Sequence, residues 1–314
     1  MKKTGKRLLA AMLLFCTILI GAAGYEVMAA DEAQSTESTS GTVNSADDLP
    51  GKRIGVQLGT TGDIYVSDYE SDGSGTVVER YNKGADAIQA LKQGKIDCVV
   101  IDEQPAIKFV EQNTGIRILD EEFTLEEYAF VIAKDNTELL DKVNSVLEKL
   151  EADGTIANIQ KNYIGTEDEI GKFPYESKDV SHENGTLTVG TNAEFPPYES
   201  YEDGQIVGID MDIMRAVSDE LGMELKIEDM AFDSIIPAIS TGKVDIGAAG
   251  FTVTEERKKN VNFTDTYTTS KQVIIVKDDT VTSEKAGLSE KFYDNFVKDS
   301  RYVYLLKGLG NTLL

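Results

Sequence analysis

Short apolar runs alternate with stretches in which apolar residues return every three or four positions, and this alternation continues along most of the chain. Arg53-Ile-Gly-Val56 reads as a strand, Gln57-Leu-Gly-Thr-Thr-Gly-Asp63 as a turn, and a helix is predicted from Ile64. Val77-Val78 gives a short strand, Gly84 to Lys92 a helix, Ile96 to Asp102 a strand, and Pro105 to Gln112 a helix. Glu127 to Ala133 reads as a strand. Leu139, Leu140, Val143, Val146, Leu147 and Leu150 fall on one helical face, which Gly154 terminates. Thr155 caps a shorter helix carrying Ile156, Ile159 and Tyr163. A second series follows: strand Thr186 to Gly190, helix Ile209 to Leu221, helix Phe232 to Ile239, strand Val244 to Ala249 and strand Gln272 to Val276.

Strands alternating with helices predict α/β architecture, with mostly parallel sheets, helices on both faces and ligands at the strands' carboxyl ends. Ala90-Leu-Lys-Gln-Gly-Lys-Ile-Asp97 matches Ala238-Ile-Ser-Thr-Gly-Lys-Val-Asp245 in pattern: helix, Gly-Lys stop, then an aspartate where a strand starts. Two such units predict two lobes with a cleft between them. A chance likeness between common helix-turn-strand sequences fits the pattern as well.

The densest candidate chemistry lies in Asp245-Ile-Gly-Ala-Ala-Gly-Phe-Thr-Val-Thr-Glu-Glu-Arg-Lys-Lys259. Gly250 lets the backbone approach a ligand closely, and Thr252-Val-Thr-Glu255 fits a capping box that would start a helix with outward N–H groups. With the hydroxyls of Thr252 and Thr254 and the guanidinium of Arg257, this suits a carboxylate or phosphate. The plainer alternative is a strand-to-helix turn with Arg257 in solvent. Gly59, Thr60, Thr61 and Gly62 form a second loop able to contact anions or amides, and no Gly-Lys-Ser/Thr follows to make it a P-loop. Asn192-Ala-Glu-Phe-Pro-Pro-Tyr198 is an aromatic loop stiffened by two prolines.

Length and charge narrow the picture. The 314 residues suffice for two domains, and the net charge of −24 argues against a nucleic-acid partner. Any anion site must therefore be local. Residues 1–30 have a signal-peptide layout, with Lys2, Lys3, Lys6 and Arg7 before an apolar run from Leu8 to Ala23, then Val27-Met-Ala29-Ala30. Export is predicted. Cys16 lies inside that run, so Cys98, among Ile96, Val99, Val100 and Ile101, is the one cysteine left after cleavage and reads as a buried strand residue. Residues 31–49 read as a polar tether, and 166–183, which hold the single histidine, His182, as an acidic linker. No metal-spaced set of His or Cys is present, and no cofactor is implied.

Residues 46–165 and 184–278, with the segment Gly208-Ile-Asp-Met-Asp-Ile213, resemble the bacterial extracellular solute-binding proteins for polar amino acids, the receptors of ABC importers. Ser218 departs from the small apolar residue usual in that motif. The resemblance implies a two-lobed periplasmic-binding-protein-like fold, each lobe a mostly parallel sheet between helices. It also implies a permuted chain order, with 50–126 as second lobe, 127–165 as the returning part of the first lobe, and 184–278 as the remainder of the first lobe. The old ends would be joined by 166–183 and the new ones would lie at the hinge; two half-proteins from a tandem array are the rival. Residues 279–314, amphipathic from Leu288 and apolar towards Leu314, resemble the stretch before the first membrane helix of matching permeases, which implies a fusion to permease and an ATPase partner.

The resemblance also assigns roles. Arg257, with the Gly250 and Thr252 backbone and hydroxyl, would clamp an α-carboxylate, and Thr61 would add a donor. Asp102 would hold the α-ammonium. Phe195, Tyr198 and Phe232 would sandwich the side chain, Gln57 would contact the ligand, and Glu194 and Asn192 would flank the side-chain end and favour cationic amino acids. Without the resemblance, Phe195 and Phe232 are ordinary core residues and Asp102 a helix cap. An enzyme on the same fold, dehydratase-like with Glu194 as acid/base group, and the sensor module of a membrane receptor are the competing classes.

Overall fold

A computed structural model describes residues 42–121 and 124–278. The chain enters through β1 Arg53–Gln57, α1 Thr61–Ser71, β2 Val77–Tyr81, α2 Gly84–Gln93, β3 Cys98–Asp102, α3 Glu103–Gln112, β4 Ile116–Ile118 and β5 Thr124–Tyr128. It continues through β6 Val131–Ala133, α4 Thr137–Ala152, α5 Thr155–Ile164, β7 Thr186–Thr191, β8 Glu194–Phe195, β9 Glu199–Glu202, β10 Gln205–Val207 and α6 Ile209–Leu221. The last elements are β11 Glu224–Asp229, α7 Phe232–Ser240, β12 Ile246–Gly247, β13 Val261–Phe263 and β14 Thr268–Lys277.

Two sheets divide the strands. One runs β2-β1-β3-β14-β4 with β5 on β14; the other runs β11-β7-β12-β6-β13. The small sheet β10-β9-β8 stands apart. Within the first sheet β1 pairs in parallel with β2 and β3, and β14 returns antiparallel. Every residue of β3 is buried because both faces are covered. Val99 and Ile101 join the larger core, while Cys98 and Val100 join a cluster with Ile54, Val56 and Ile274. Cys98 is thus buried as the sequence implies, and burial raises its thiol pKa.

The two matched segments do equivalent work. α2 ends at Gly94 (φ 74°), and the turn after α7 holds Gly242 (φ 71°), both left-handed as a helix stop requires. Asp97 then accepts from Arg53 N at 2.8 Å, and Asp245 accepts from Thr188 N at 2.7 Å. Each aspartate thereby ties the incoming strand to the strand beside it.

Several sequence expectations shift. Glu127 to Ala133 is not one strand: β5 belongs to the first sheet and β6 to the second, so the chain crosses between lobes at 129–130. It crosses back at 264–267, because β14 joins β3 rather than the sheet of β7. Residues 131–263 therefore form a contiguous lobe, and the other lobe is split between 43–128 and 268–277, which corrects the 127 and 278 boundaries. Part of the expected tether is also in the lobe, with Val43 and Leu49 buried in its core. The ends of the described sheet lie away from the hinge. Ile54 and Val276 both face Cys98, one on each side of β3, two strand spacings or about 10 Å apart.

Residues 166–183 are built onto the first lobe. Asp219 at the end of α6 accepts from Tyr175 Oη and Lys178 N, both at 2.8 Å, and Glu220 pairs with Lys178 and Lys149. The signal segment and the 279–314 tail lie outside the described residues. Among those residues no helix is long and apolar enough to cross a membrane.

Candidate functional site

The carboxyl ends of β1 and β3 face the loops after β7 and β12, and a narrow cavity of about 10 Å³, room for about one water, lies between them. Gln57, Thr61, Asp102, Asn192, Phe195, Phe232, Gly250, Thr252 and Arg257 all line it, so nine of the sequence-derived candidates converge on one space. Thr60, Glu199 and Ala249 complete the wall.

Arg257 does not sit where the capping box placed it. No α-helix follows Thr252; residues Arg257–Lys259 make a single 3-10 turn, which swings the guanidinium inward until the residue is 7% exposed. It donates to Thr252 O at 2.9 Å and to Gly59 O at 3.0 Å, and it lies 5.4 Å from the ring centres of Phe232 and Phe251. Two acceptors leave N–H groups of the fork for a ligand. Burial lowers the guanidinium's pKa, opposed by the carboxylates of Glu126 and Asp102.

Gly250 adopts φ 56°, and a Cβ there would meet Phe195 at 2.8 Å. Its N–H, however, donates to Asp210 Oδ2 at 2.9 Å, so the expected donor to a ligand carboxylate is already engaged. Asp210 opens α6 within the Gly208-Ile-Asp-Met-Asp motif, is fully buried, and also accepts from Tyr267 Oη at 2.5 Å. Burial pushes its carboxyl up to about 7.

The threonines are also engaged. Thr61 Oγ1 and Thr252 Oγ1 donate to the same oxygen of Glu126, at 3.1 and 2.7 Å, and Gln272 Nε2 reaches it at 3.3 Å. Glu126 is 2% exposed and was not singled out by sequence reasoning. Its signal is the alternation of β5, in which Glu126 and Tyr128 point inward while Leu125 is 76% exposed. Tyr128 Oη in turn bonds Asp102 Oδ1. Burial, then the neighbouring Glu126, raises the Asp102 carboxyl to about 7.

Two candidates fall outside the cavity. Tyr198 is core, 1% exposed, with ring centres 5.7 Å from Phe195 and 5.1 Å from Tyr128. Glu194 faces a larger outer groove and forms an ion pair with Lys83 at 2.5 Å, so it does not reach this cavity. The carboxyl that does is Glu199. Asn192-Ala-Glu-Phe-Pro-Pro-Tyr198 stops one residue short of it, and strand alternation in β9 turns Glu199 inward where Ser200 turns out. It is fully buried, and neither oxygen has a hydrogen-bond partner among the described residues. Burial, then Asp210 and Asp102, raises its pKa well above the carboxylate range.

The lobes touch across the cleft. Gln57 bonds Asn192, Arg257 bonds Gly59, Thr61 meets Thr252, and Lys83 pairs with Glu194. This is a two-lobed α/β cleft protein with a polar cavity between its lobes at the strands' carboxyl ends.

The chain belongs to the bacterial extracellular solute-binding proteins, family 3, whose sequence pattern matches residues 74–166 and 187–300. It is 44% identical over 84 residues to the arginine-binding protein ArgT of Corynebacterium glutamicum, covering 26% of this chain and 28% of that one. Identity is 40% over 93 residues to the arginine-binding extracellular protein ArtP of Bacillus subtilis, covering 30% and 36%. It is 29% over 137 residues to the L-cystine-binding protein TcyJ of Escherichia coli, covering 43% and 50%. Among solved structures, the arginine-bound form of domain 1 from TmArgBP is 43% identical, with 31% of this chain and 83% of that one covered and a TM-score of 0.27. The chain thus spans half or less of the length of these curated relatives, all of which are amino-acid-binding proteins.

Proposed function

We propose that this chain binds an amino acid with a cationic or neutral polar side chain in the interlobe cleft and delivers it to an ABC importer permease. The observation that carries the reading is the presence of Arg257 and Asp102 in one closed cavity. A guanidinium fork suits an α-carboxylate, and a buried carboxylate suits an α-ammonium. Arg257 supplies the clamp, while the hydroxyls of Thr61 and Thr252 are taken by Glu126 and so do not donate to the ligand. Phe195 and Phe232 form apolar walls, and Glu199 replaces Glu194 as the carboxyl that selects the side chain. Arginine-binding relatives support a basic ligand.

The order of elements supports a circular permutation within the family. β6, α4 and α5 share a sheet and core with β7, β12 and α6, although the linker 166–183 separates them in sequence. Together they supply one lobe without duplication, which tandem halves would not. The basic and apolar N-terminus supports export, and the tail after 278 remains the candidate start of a permease fused to this receptor, with an ATPase subunit as further partner. Membrane tethering would come through that tail.

A thermal-shift screen of the whole chain against the common amino acids tests the reading. Stabilisation by arginine, lysine or histidine is expected, with glutamine weaker and glutamate inactive. No shift with any amino acid would remove it.

A further inference from the structure

Four buried carboxyl groups, Asp102, Glu126, Glu199 and Asp210, gather around the cavity, against the single buried guanidinium of Arg257. Three have hydrogen-bond donors. Asp102 takes Tyr128, Glu126 takes Thr61, Thr252 and Gln272, and Asp210 takes Gly250 N and Tyr267. Glu199 has none. It lines the cavity, is fully buried, and both its oxygens lack a partner among the described residues.

An ionised carboxylate without donors in a closed space is costly, and the group escapes that cost by holding a proton. The groups that face Glu199 are Asp210 from α6, Asp102 from β3, Tyr198 from the preceding loop and Tyr267 from the hinge segment. The two carboxyl groups disfavour a further negative charge, and the two tyrosines are neutral phenols that add no positive charge to offset it. The cation in the same cavity, Arg257, is engaged by backbone carbonyls and is balanced by Glu126 and Asp102.

From this geometry we infer, on the reading given under Proposed function, that the closed cleft exchanges a proton for the side chain of a cationic amino acid, with Glu199 as the exchanging group. In the ligand-free closed form Glu199 is a neutral carboxylic acid. When a guanidinium or ammonium group enters beside it, the O–H bond breaks and the proton passes to solvent. The carboxylate that remains pairs with the ligand's positive charge, so the total charge of the cavity does not change. A neutral side chain offers no such exchange and leaves Glu199 protonated. Binding of cationic ligands therefore weakens as the medium acidifies, while binding of neutral ones depends on pH only through groups they share, chiefly Asp102 at the α-ammonium.

Isothermal titration of the whole chain tests this, with arginine and glutamine as probes in buffers of low and high ionisation enthalpy. Both ligands carry the same α groups, so the difference between them isolates the side-chain end. Arginine is expected to release about one proton more than glutamine. Its affinity should rise by up to about tenfold per pH unit while Glu199 titrates. In Glu199→Gln the extra proton and the extra pH slope should both vanish. Arginine binding with no more proton release than glutamine in the wild-type chain overturns the exchange and leaves amino-acid binding standing. The wild-type comparison decides even where the variant folds poorly. Failure of both probes, and of lysine and histidine, overturns the binding reading and the exchange together.

Discussion

Gln57 Nε2 donates to Asn192 Oδ1 at 2.8 Å across the cleft, although the two residues lie 135 positions apart and belong to different lobes. Both are buried. Each has a second anchor on its own lobe, Gln57 to Asn82 O at 3.3 Å and Asn192 to Met230 O at 2.9 Å, so the pair is held in register. Closure thus makes a buried amide bond that opening must surrender to water. Gln57→Ala leaves Asn192 Oδ1 without its partner, a loss of roughly 1–2 kcal/mol for the closed form. Ligand affinity should fall about 5- to 30-fold, and small-angle scattering of the ligand-free variant should show a larger radius of gyration than wild type. Unchanged affinity and unchanged scattering would mean that the bridge does not hold the cleft shut.

Glu126 ties the same closure to the hinge. Its Oε2 receives hydroxyls from Thr61 in one lobe and Thr252 at the other, and Gln272 from β14. A hydroxyl has one proton to give, so these threonines present lone pairs, not donors, to the cavity. Glu126→Ala should lower the stability of the ligand-free chain by about 2–3 kcal/mol, since bonds to a carboxylate are individually strong. Urea unfolding measures it. A loss below a few tenths of a kcal/mol would show that the cluster is incidental.

Much of this was legible in the chain. The α/β class, the paired Gly-Lys-x-Asp segments and nine cavity residues followed from periodicity and a family resemblance. What failed did so for identifiable physical reasons. Thr252-Val-Thr-Glu255 has capping-box residues, yet β13 begins at Val261, and the few residues between leave room only for a 3-10 turn. Glu127 to Ala133 has uniform strand propensity, so nothing local marks the point where the chain changes sheets. Glu194 and Glu199 both sit in short strands beside the proline loop, and only pairing of β8 with β9 decides which points inward. Glu126 escaped because a buried acid with three donors looks, in sequence, like any surface glutamate.

The raised carboxyls make stability depend on pH in a defined direction. Asp102 and Asp210 are each raised from 3.8 to about 7, mainly by burial. A carboxyl with a higher pKa in the folded state keeps its proton there more tightly than in the unfolded chain. Its contribution is full below about 3.8 and is lost as pH rises through about 7. The ligand-free chain should therefore resist urea better at pH 5 than at pH 8. The difference should shrink in Asp210→Asn. A midpoint that rises steadily from pH 5 to pH 8 would contradict the assignment.

The segment 166–183 lies on α6 through Asp219, yet the lobe it serves is held mainly by β6 between β12 and β13 and by α4 and α5 packed on the core. Cutting it at an inserted protease site should leave the two pieces associated and able to bind arginine. Asp219→Ala removes an acceptor shared by Tyr175 and Lys178 and should cost about 1–3 kcal/mol of stability. Separation of the cut pieces on size-exclusion chromatography would favour two half-proteins over a permuted whole.

An amino acid seated in the cavity with its carboxylate on Arg257 depends on that guanidinium for affinity, and titration of arginine into wild type and Arg257→Ala measures the dependence. A charge-assisted clamp inside a closed cleft contributes about 2–5 kcal/mol, so the variant should bind roughly 30-fold to several thousandfold more weakly. Binding within a factor of two of wild type would place the ligand carboxylate away from Arg257.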